Sequence, residues 1–235
     1  MVFMDPTTKK KVTVADTGVI RIVLIDDHVM VLDSLVSRLE QESDLAVVGV
    51  ATDAREGIKL VIKHDPNIVL MDIDMPGLDC FDAVRKMRDR KAKAHIVFLS
   101  AFTNDRYIEQ ALDVEARGYL TKRESTDVIV QAIREVAGGG VHFSPEVQDR
   151  IVVDGKKVSL GAKVGRSSRV SLLTNRELEV IRYIARGLSK KQMALTMDLS
   201  AKTIENYSNN IMAKLGIHNR VDLARFAIRE GIAEV

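Results

Sequence analysis

From Val19 onward, short apolar runs alternate with segments whose apolar residues recur every three to four positions. The first kind reads as strands covered on both faces, the second as amphipathic helices. A strand at 20–26 precedes a helical run from Val29 to Glu42, with Val31, Leu32, Leu35, Val36 and Leu39 on one face. Val47–Val50 is a second strand, followed by a helix at 54–63 and a strand at 67–72. Phe81, Val84 and Met87 mark the next helix, before a strand at 95–100, a helix near 105–114, a strand at 117–121 and a helix at 125–137. Five strands alternating with five helices through short loops predict an α/β fold, a five-stranded doubly wound parallel sheet.

Gly138, Gly139 and Gly140 stop the last of these helices, and residues 141–171 carry no sustained period. Pro145 suits the start of a short helix, but Gly155, Gly161, Gly165 and Ser167-Ser168 are linker chemistry. Past Thr174 only helix signals remain. Thr174 with Glu177, and Ser189 with Gln192, have capping-box spacing. Ser200 and Asn219 precede two further helices, and Gly187 and Gly216 stand where helices end. A tight turn at Asp198-Leu199 joins the middle pair, giving a small all-α four-helix unit with a helix-turn-helix pattern. The expected organisation is a disordered leader at 1–18, an α/β domain at 19–140, a linker at 141–171 and a helical domain at 172–235.

The chain has 235 residues and net charge +2, and the charge is uneven. Residues 1–143 hold 19 Lys/Arg against 23 Asp/Glu, and residues 144–235 hold 16 against 10. An acidic front and a basic back fit a metal-binding domain joined to one that grips nucleic acid. With no Trp and few aromatic residues, base stacking is a poor basis for that grip. No apolar stretch is long enough to span a bilayer and none reads as a signal peptide, so the expected setting is the cytoplasm, without membrane association. The single Cys80 has no partner for an internal disulfide and reads as a small core residue.

Chemistry concentrates at the ends of the predicted strands. Asp26 and Asp27 close the first, Asp72 the third, Ser100 the fourth and Lys122 the fifth. Charged groups beside core strands are costly to desolvate, and the carboxyl edge of an open parallel sheet is where ligands bind. One such Asp is explained as a helix cap or turn residue; all three with Ser100 and Lys122 are not. Three carboxylates, a hydroxyl and an ammonium suit Mg²⁺ and a phosphoryl group: the ion offsets the repulsion between an aspartate nucleophile and a phosphoryl donor.

On the helix starting at Ser200, the residues Lys202, Thr203, Asn206, Tyr207, Asn210 and Lys214 share an exposed stripe opposite Ile204, Ile211 and Leu215. A recognition helix presents such residues to the major groove of double-stranded DNA, with Asn206 suited to adenine. Lys202, Lys190 and Lys191 suit phosphates. Glu205 faces a like-charged duplex and should read a cytosine amine or point away. A solvated face on a helical bundle is the plainer alternative. On the last helix, Val221, Leu223 and Ala224 have no downstream element to cover them.

The segments Ile22–His28, Val69–Asp79, Phe98–Ala101 and Gly118–Lys122 resemble the receiver domain of two-component response regulators, a flavodoxin-like fold. Leu173–Val180 and Lys214–Arg220 resemble the LuxR-type helix-turn-helix, and the whole resembles a response regulator of the NarL/FixJ type. That resemblance implies a transcription regulator in which a partner histidine kinase phosphorylates Asp72. Asp26, Asp27, Asp72 and the backbone carbonyl of Asp74 would surround Mg²⁺. Ser100 and Lys122 would bind the phosphate, and Tyr119 would be the aromatic switch. It also implies a cis peptide between Lys122 and Arg123, and an active homodimer meeting through the helix of Val221, Leu223 and Ala224. It implies no enzyme beyond acceptance and loss of the chain's own phosphoryl group. Two alternatives stay open: a haloacid-dehalogenase-like phosphatase built on Asp72 and Asp74, and a DNA-binding regulator independent of phosphate. Four residues depart from the family pattern: Asp74 beside the pocket, Cys80 and Glu115 at positions commonly Gly, and Ser208 where many relatives are basic.

Overall fold

The structure is a computed structural model, which describes residues 18–101, 103–154, 157–160 and 169–233. Except for Gly18, the leader expected at 1–18 lies outside the described residues. The first domain alternates β1 (Ile20–Ile25), α1 (Val29–Leu39), β2 (Leu45–Ala51), α2 (Ala54–His64), β3 (Ile68–Asp72), α3 (Cys80–Asp89), β4 (His95–Ser100), α4 (Asp105–Asp113), β5 (Gly118–Thr121) and α5 (Thr126–Ala137). Polar caps start four of the five helices. Asp53 accepts the amides of Arg55 and Glu56, and Asp79 those of Phe81 and Asp82. Asn104 and Ser125 do the same for α4 and α5.

The strands run parallel in the order β2-β1-β3-β4-β5, with a short sixth strand, β6 (His142–Phe143), beside β5. Alternate side chains divide the core between the two faces. Ile22, Leu24, Leu70, Val97, Leu99 and Leu120 pack with α1 and α5 through Leu32, Leu35, Leu39, Ile129, Ile133 and Val136. Val23, Ile25, Val69, Met71, Ile96 and Phe98 pack the other way, on Ile58, Val61, Phe81, Val84, Met87 and Ile108 of α2 to α4. Burying each such side chain stabilises by about 1.5–3 kcal/mol. Gly57 lets α2 approach β1, because a Cβ there would run into Ile25.

The sixth strand, β6 (His142–Phe143), falls where no regular structure was expected. It is two residues long, too short to show a period, and pairs with Gly118 and Tyr119 of β5. The Ser144 hydroxyl extends this join by accepting the Thr121 amide at 2.9 Å. The short helix α6 (Pro145–Gln148) follows, then an antiparallel hairpin of β7 (Ile151–Asp154) and β8 (Lys157–Leu160) and a 3₁₀ turn at Arg169–Leu172. The stretch expected as a linker therefore holds ordered elements, and β8 packs on α4.

Four helices complete the chain: α7 (Asn175–Ala185), α8 (Lys190–Thr196), α9 (Ala201–Leu215) and α10 (Arg220–Arg229). Both capping boxes form, at Thr174 with Glu177 and at Ser189 with Gln192. Ser200 and Asn219 cap α9 and α10. No helix among the described residues is long and apolar enough to cross a membrane.

After α4, Glu115 takes the left-handed conformation at φ 56°, its amide bonded to the Leu112 carbonyl at 3.0 Å. A side chain there costs about 1–2 kcal/mol that glycine avoids. Glu115→Gly should raise unfolding free energy by roughly 1 kcal/mol, read as a shift in the urea midpoint at unchanged slope.

Candidate functional site

Each strand delivers its polar residue to the same end of the sheet. Asp26 and Asp27 follow β1, Asp72 ends β3, and Ser100 on β4 pairs in register with Thr121 on β5, next to Lys122. Ligand atoms of Asp26, Asp27, His28 and Asp72 lie within 4.8 Å of one another. Lys122 Nζ reaches Asp26 Oδ2 at 2.7 Å and Asp72 Oδ2 at 3.1 Å. His28 caps the approach to α1, its Nδ1 3.1 Å from Asp26 Oδ1 and 2.9 Å from Asp27 Oδ1, with half its side chain exposed.

Burial dominates the electrostatics. Asp72 is 1% exposed, and desolvation pushes its carboxyl up from an ordinary 3.8 to about 7, against the attraction of Lys122 and with the repulsion of Asp26. Burial also works against the Lys122 ammonium, but Asp72 and Asp26 outweigh it and hold that group above its ordinary value. Asp72 Oδ1 is buried with no hydrogen-bond donor among the described residues. Buried acceptors are almost always satisfied, and hard carboxylate oxygens are magnesium donors, so the pocket fits such an ion.

Ser100 is fully buried and its hydroxyl is hydrogen-bonded to the Tyr119 hydroxyl, whose ring is also fully buried. Burial raises the Tyr119 phenol well above its usual value. The expected cis peptide after Lys122 is absent: no described peptide bond is cis. The Lys122 amide bonds to the Ser100 carbonyl at 2.8 Å and the chain enters a turn closed by Glu124 on Thr121, a path that a trans bond follows without the cis penalty of about 2.5–4 kcal/mol. Cys80 is buried and its thiol pushed up by desolvation, as a core residue's would be.

Asp74 does something the sequence did not reveal. Its side chain is 10% exposed and is held by two arginines, Oδ1 by Arg182 of α7 and Oδ2 by Arg186, at that helix's C-terminal cap, at 2.9 Å. Arg182 also donates to the Tyr107 hydroxyl on α4 and lies 5.4 Å from that ring's centre. One residue-pair away, Arg176 donates to the Gly77 carbonyl at 3.1 Å and Glu179 accepts the Gly77 amide at 3.4 Å. The loop between β3 and α3 thus docks on one face of α7. The only sequence signal was the spacing of Arg176, Glu179, Arg182 and Arg186 along a single helical face. With both carboxylate oxygens so engaged, Asp74 is not free to act as the acid that a haloacid-dehalogenase-like mechanism needs.

On α9, Ile204, Ile211 and Leu215 are buried as expected, and Lys202, Asn206 and Asn210 are exposed. Thr203 and Tyr207 are half-buried; the Thr203 hydroxyl bonds to that of Ser200 at 2.8 Å. Lys214 is engaged inside the domain, 2.6 Å from Glu177, and Ser208 is buried, bonded to the Ile204 carbonyl at 2.9 Å. Glu205 binds Lys190 at 2.8 Å and Lys202 at 3.4 Å, while Lys191 is exposed. On α10, Leu223 is core, whereas Val221, Ala224 and Ile228 keep some exposure and lie at helical spacing. Ile228, 39% exposed, directly follows the buried Phe226 and Ala227 in the sequence.

Because the native carboxyl of Asp72 titrates near 7 rather than 3.8, its ionisation destabilises the fold increasingly as pH rises between those values. Asp72→Asn removes that penalty, so with chelator present its melting temperature should exceed the wild type's by more at pH 8 than at pH 5. Thermal melts at the two pH values check this.

Two family models match. Residues 22–134 match the response regulator receiver domain, and residues 171–227 match the bacterial regulatory proteins of the luxR family. The transcriptional regulatory protein MctR of Rhizobium johnstonii is 38% identical over 213 residues, covering 91% of this chain and 95% of that protein. A LuxR-family two-component response regulator from Aurantimonas is 31% identical with TM-score 0.53, covering 56% of this chain and 94% of the other. A structure of the RcsB response regulator of Salmonella typhimurium shares the fold over 92% of this chain and all of its own, at TM-score 0.67 and 22% identity. A receiver fold followed by a LuxR-type helix-turn-helix, in that order along one chain, makes this protein a member of the two-component response regulators that act as transcriptional regulators.

Proposed function

We propose that this regulator is switched by Mg²⁺-dependent phosphorylation of Asp72 by a partner histidine kinase. The observation that carries this is the meeting of three carboxylates and one ammonium, with atoms of Asp26, Asp27 and Asp72 inside a 4.8 Å span and Lys122 against two of them. Asp26, Asp27, Asp72 and the Asp74 carbonyl would hold the ion, which when bound offsets negative charge at the reacting centre. Lys122 leaves its two carboxylates to pair with the phosphoryl group, and Ser100 donates a hydrogen bond to it. That movement of Ser100 breaks or redirects its bond to Tyr119 and repacks the face between β4 and β5. Residues 19–140 would be the unit that accepts the phosphoryl group and 172–235 the unit that binds DNA.

For DNA, Lys190, Lys191 and Lys202 are phosphate contacts, and Thr203, Asn206, Tyr207 and Asn210 supply the base-reading stripe. Lys214 serves DNA only if it gives up Glu177, so its part is to brace α9 on the cap of α7. Active protein would pair through α10, using the exposed Val221, Ala224 and Ile228, with Leu223 packing behind them.

With a small acyl phosphate and Mg²⁺, the wild-type chain should gain one phosphoryl group by intact-mass measurement and Asp72→Asn none; incorporation into the variant would contradict the assignment. Glu205→Gln should free Lys190 and Lys202, tighten binding to non-specific duplex, and steepen the log affinity against log salt slope by about 1. Fluorescence anisotropy across a salt series measures both.

A further inference from the structure

Two guanidinium groups of the DNA-binding domain stand at the edge of the acidic pocket. Arg182, buried, and Arg186 share the single carboxylate of Asp74, which leaves one positive charge in excess there. Asp74 lies two residues from Asp72, in the same loop whose carbonyl was assigned above to the ion. Part of the charge acting on Arg182 comes from the pocket itself. Burial pushes the Arg182 guanidinium down to about 10 and neighbouring Arg186 adds to that, while Tyr183 and then the pocket charges of Asp72 and Asp27 act against it, favouring its cationic form. The pocket's own ammonium, Lys122, answers only part of three carboxylates. Arg182 is therefore held in the domain contact both by Asp74 and by the field of a pocket with surplus negative charge. Other groups facing it are the Tyr107 hydroxyl, to which it donates, and Tyr183, and burial keeps both phenols neutral.

We infer that a divalent cation in this pocket and the docking of α7 on the β3–α3 loop oppose each other, so that metal alone, before any phosphoryl transfer, loosens the contact between the two domains. This rests on the pocket being the magnesium site proposed above. A dication among Asp26, Asp27 and Asp72 cancels the field that favours Arg182 and replaces it with repulsion. Linkage makes the effect reciprocal: whatever docking loses on metal binding, metal affinity loses on docking. Arg182 and Arg186 are thus positioning residues for the metal site, contributed by the other domain, that set its affinity without touching the ion.

The test uses the full chain with no phosphodonor. MgCl₂ is titrated calorimetrically into wild type, the double variant Arg182→Gln/Arg186→Gln, and Arg186→Gln alone, whose side chain is one-third exposed and whose loss the fold tolerates more easily. Small-angle scattering follows the radius of gyration with Mg²⁺ and with K⁺ at matched ionic strength. The expected result is Mg²⁺ affinity at least fivefold tighter in the double variant, an intermediate gain in the single one, and a radius that grows with Mg²⁺ but not K⁺ in wild type alone. Saturable binding of equal affinity in all three chains, or a wild-type radius indifferent to Mg²⁺, overturns the inference while leaving the metal site standing. No saturable binding in any chain overturns the metal site itself, and the inference with it.

Discussion

The costliest arrangement in this molecule is an aspartate at the end of a fully apolar strand. Asp72 follows Ile68-Val69-Leu70-Met71, all buried, and desolvation outweighs every attraction offered to it. The parallel sheet makes this possible. Its central strands end side by side, so β1, β3, β4 and β5 bring their terminal residues together without any loop having to fold over them. The pocket is a by-product of strand order, and its strain is that of like charges kept close by a rigid frame.

Much of this was legible before any coordinates. The strands β1, β3, β4 and β5 are near-continuous apolar runs with a polar residue at or just past one end, so their direction and the site's edge are written in the same few residues. Caps such as Thr174, Ser189 and Ser200 mark helix starts through local chemistry, which does not depend on what packs where. At Glu115 the resemblance pointed to a position commonly Gly, and the chain there does take the left-handed conformation. The two-residue β6 was not legible, since a pair of residues has no period and its pairing is decided by β5. The Lys122 peptide was expected cis from resemblance and is trans, a backbone state that side-chain identities do not encode.

The contact between domains was hidden for a different reason. Arg176, Glu179, Arg182 and Arg186 read as the solvated side of an amphipathic helix, and nothing local distinguishes a charged face that meets water from one that meets another domain. Only the partner defines it: Asp74 and Gly77 in a loop a hundred residues earlier, and Tyr107 on α4. The same blindness affected α9. Lys214 lies on the right stripe for DNA, yet Glu177 claims it from inside the bundle, and Glu205 draws two lysines toward itself. The two Glu205 pairs lie at the surface and are exchangeable, since the net worth of an exposed ion pair against hydration is small.

The short strand β6 has a mechanical meaning. It fastens the beginning of the interdomain segment to β5 by main-chain pairing at Gly118 and Tyr119 and by the Ser144 hydroxyl on Thr121. The tether between the two halves is therefore clamped at its root to the strand that bears the buried Tyr119 and leads into Lys122. Anything that shifts this root would carry the tether with it.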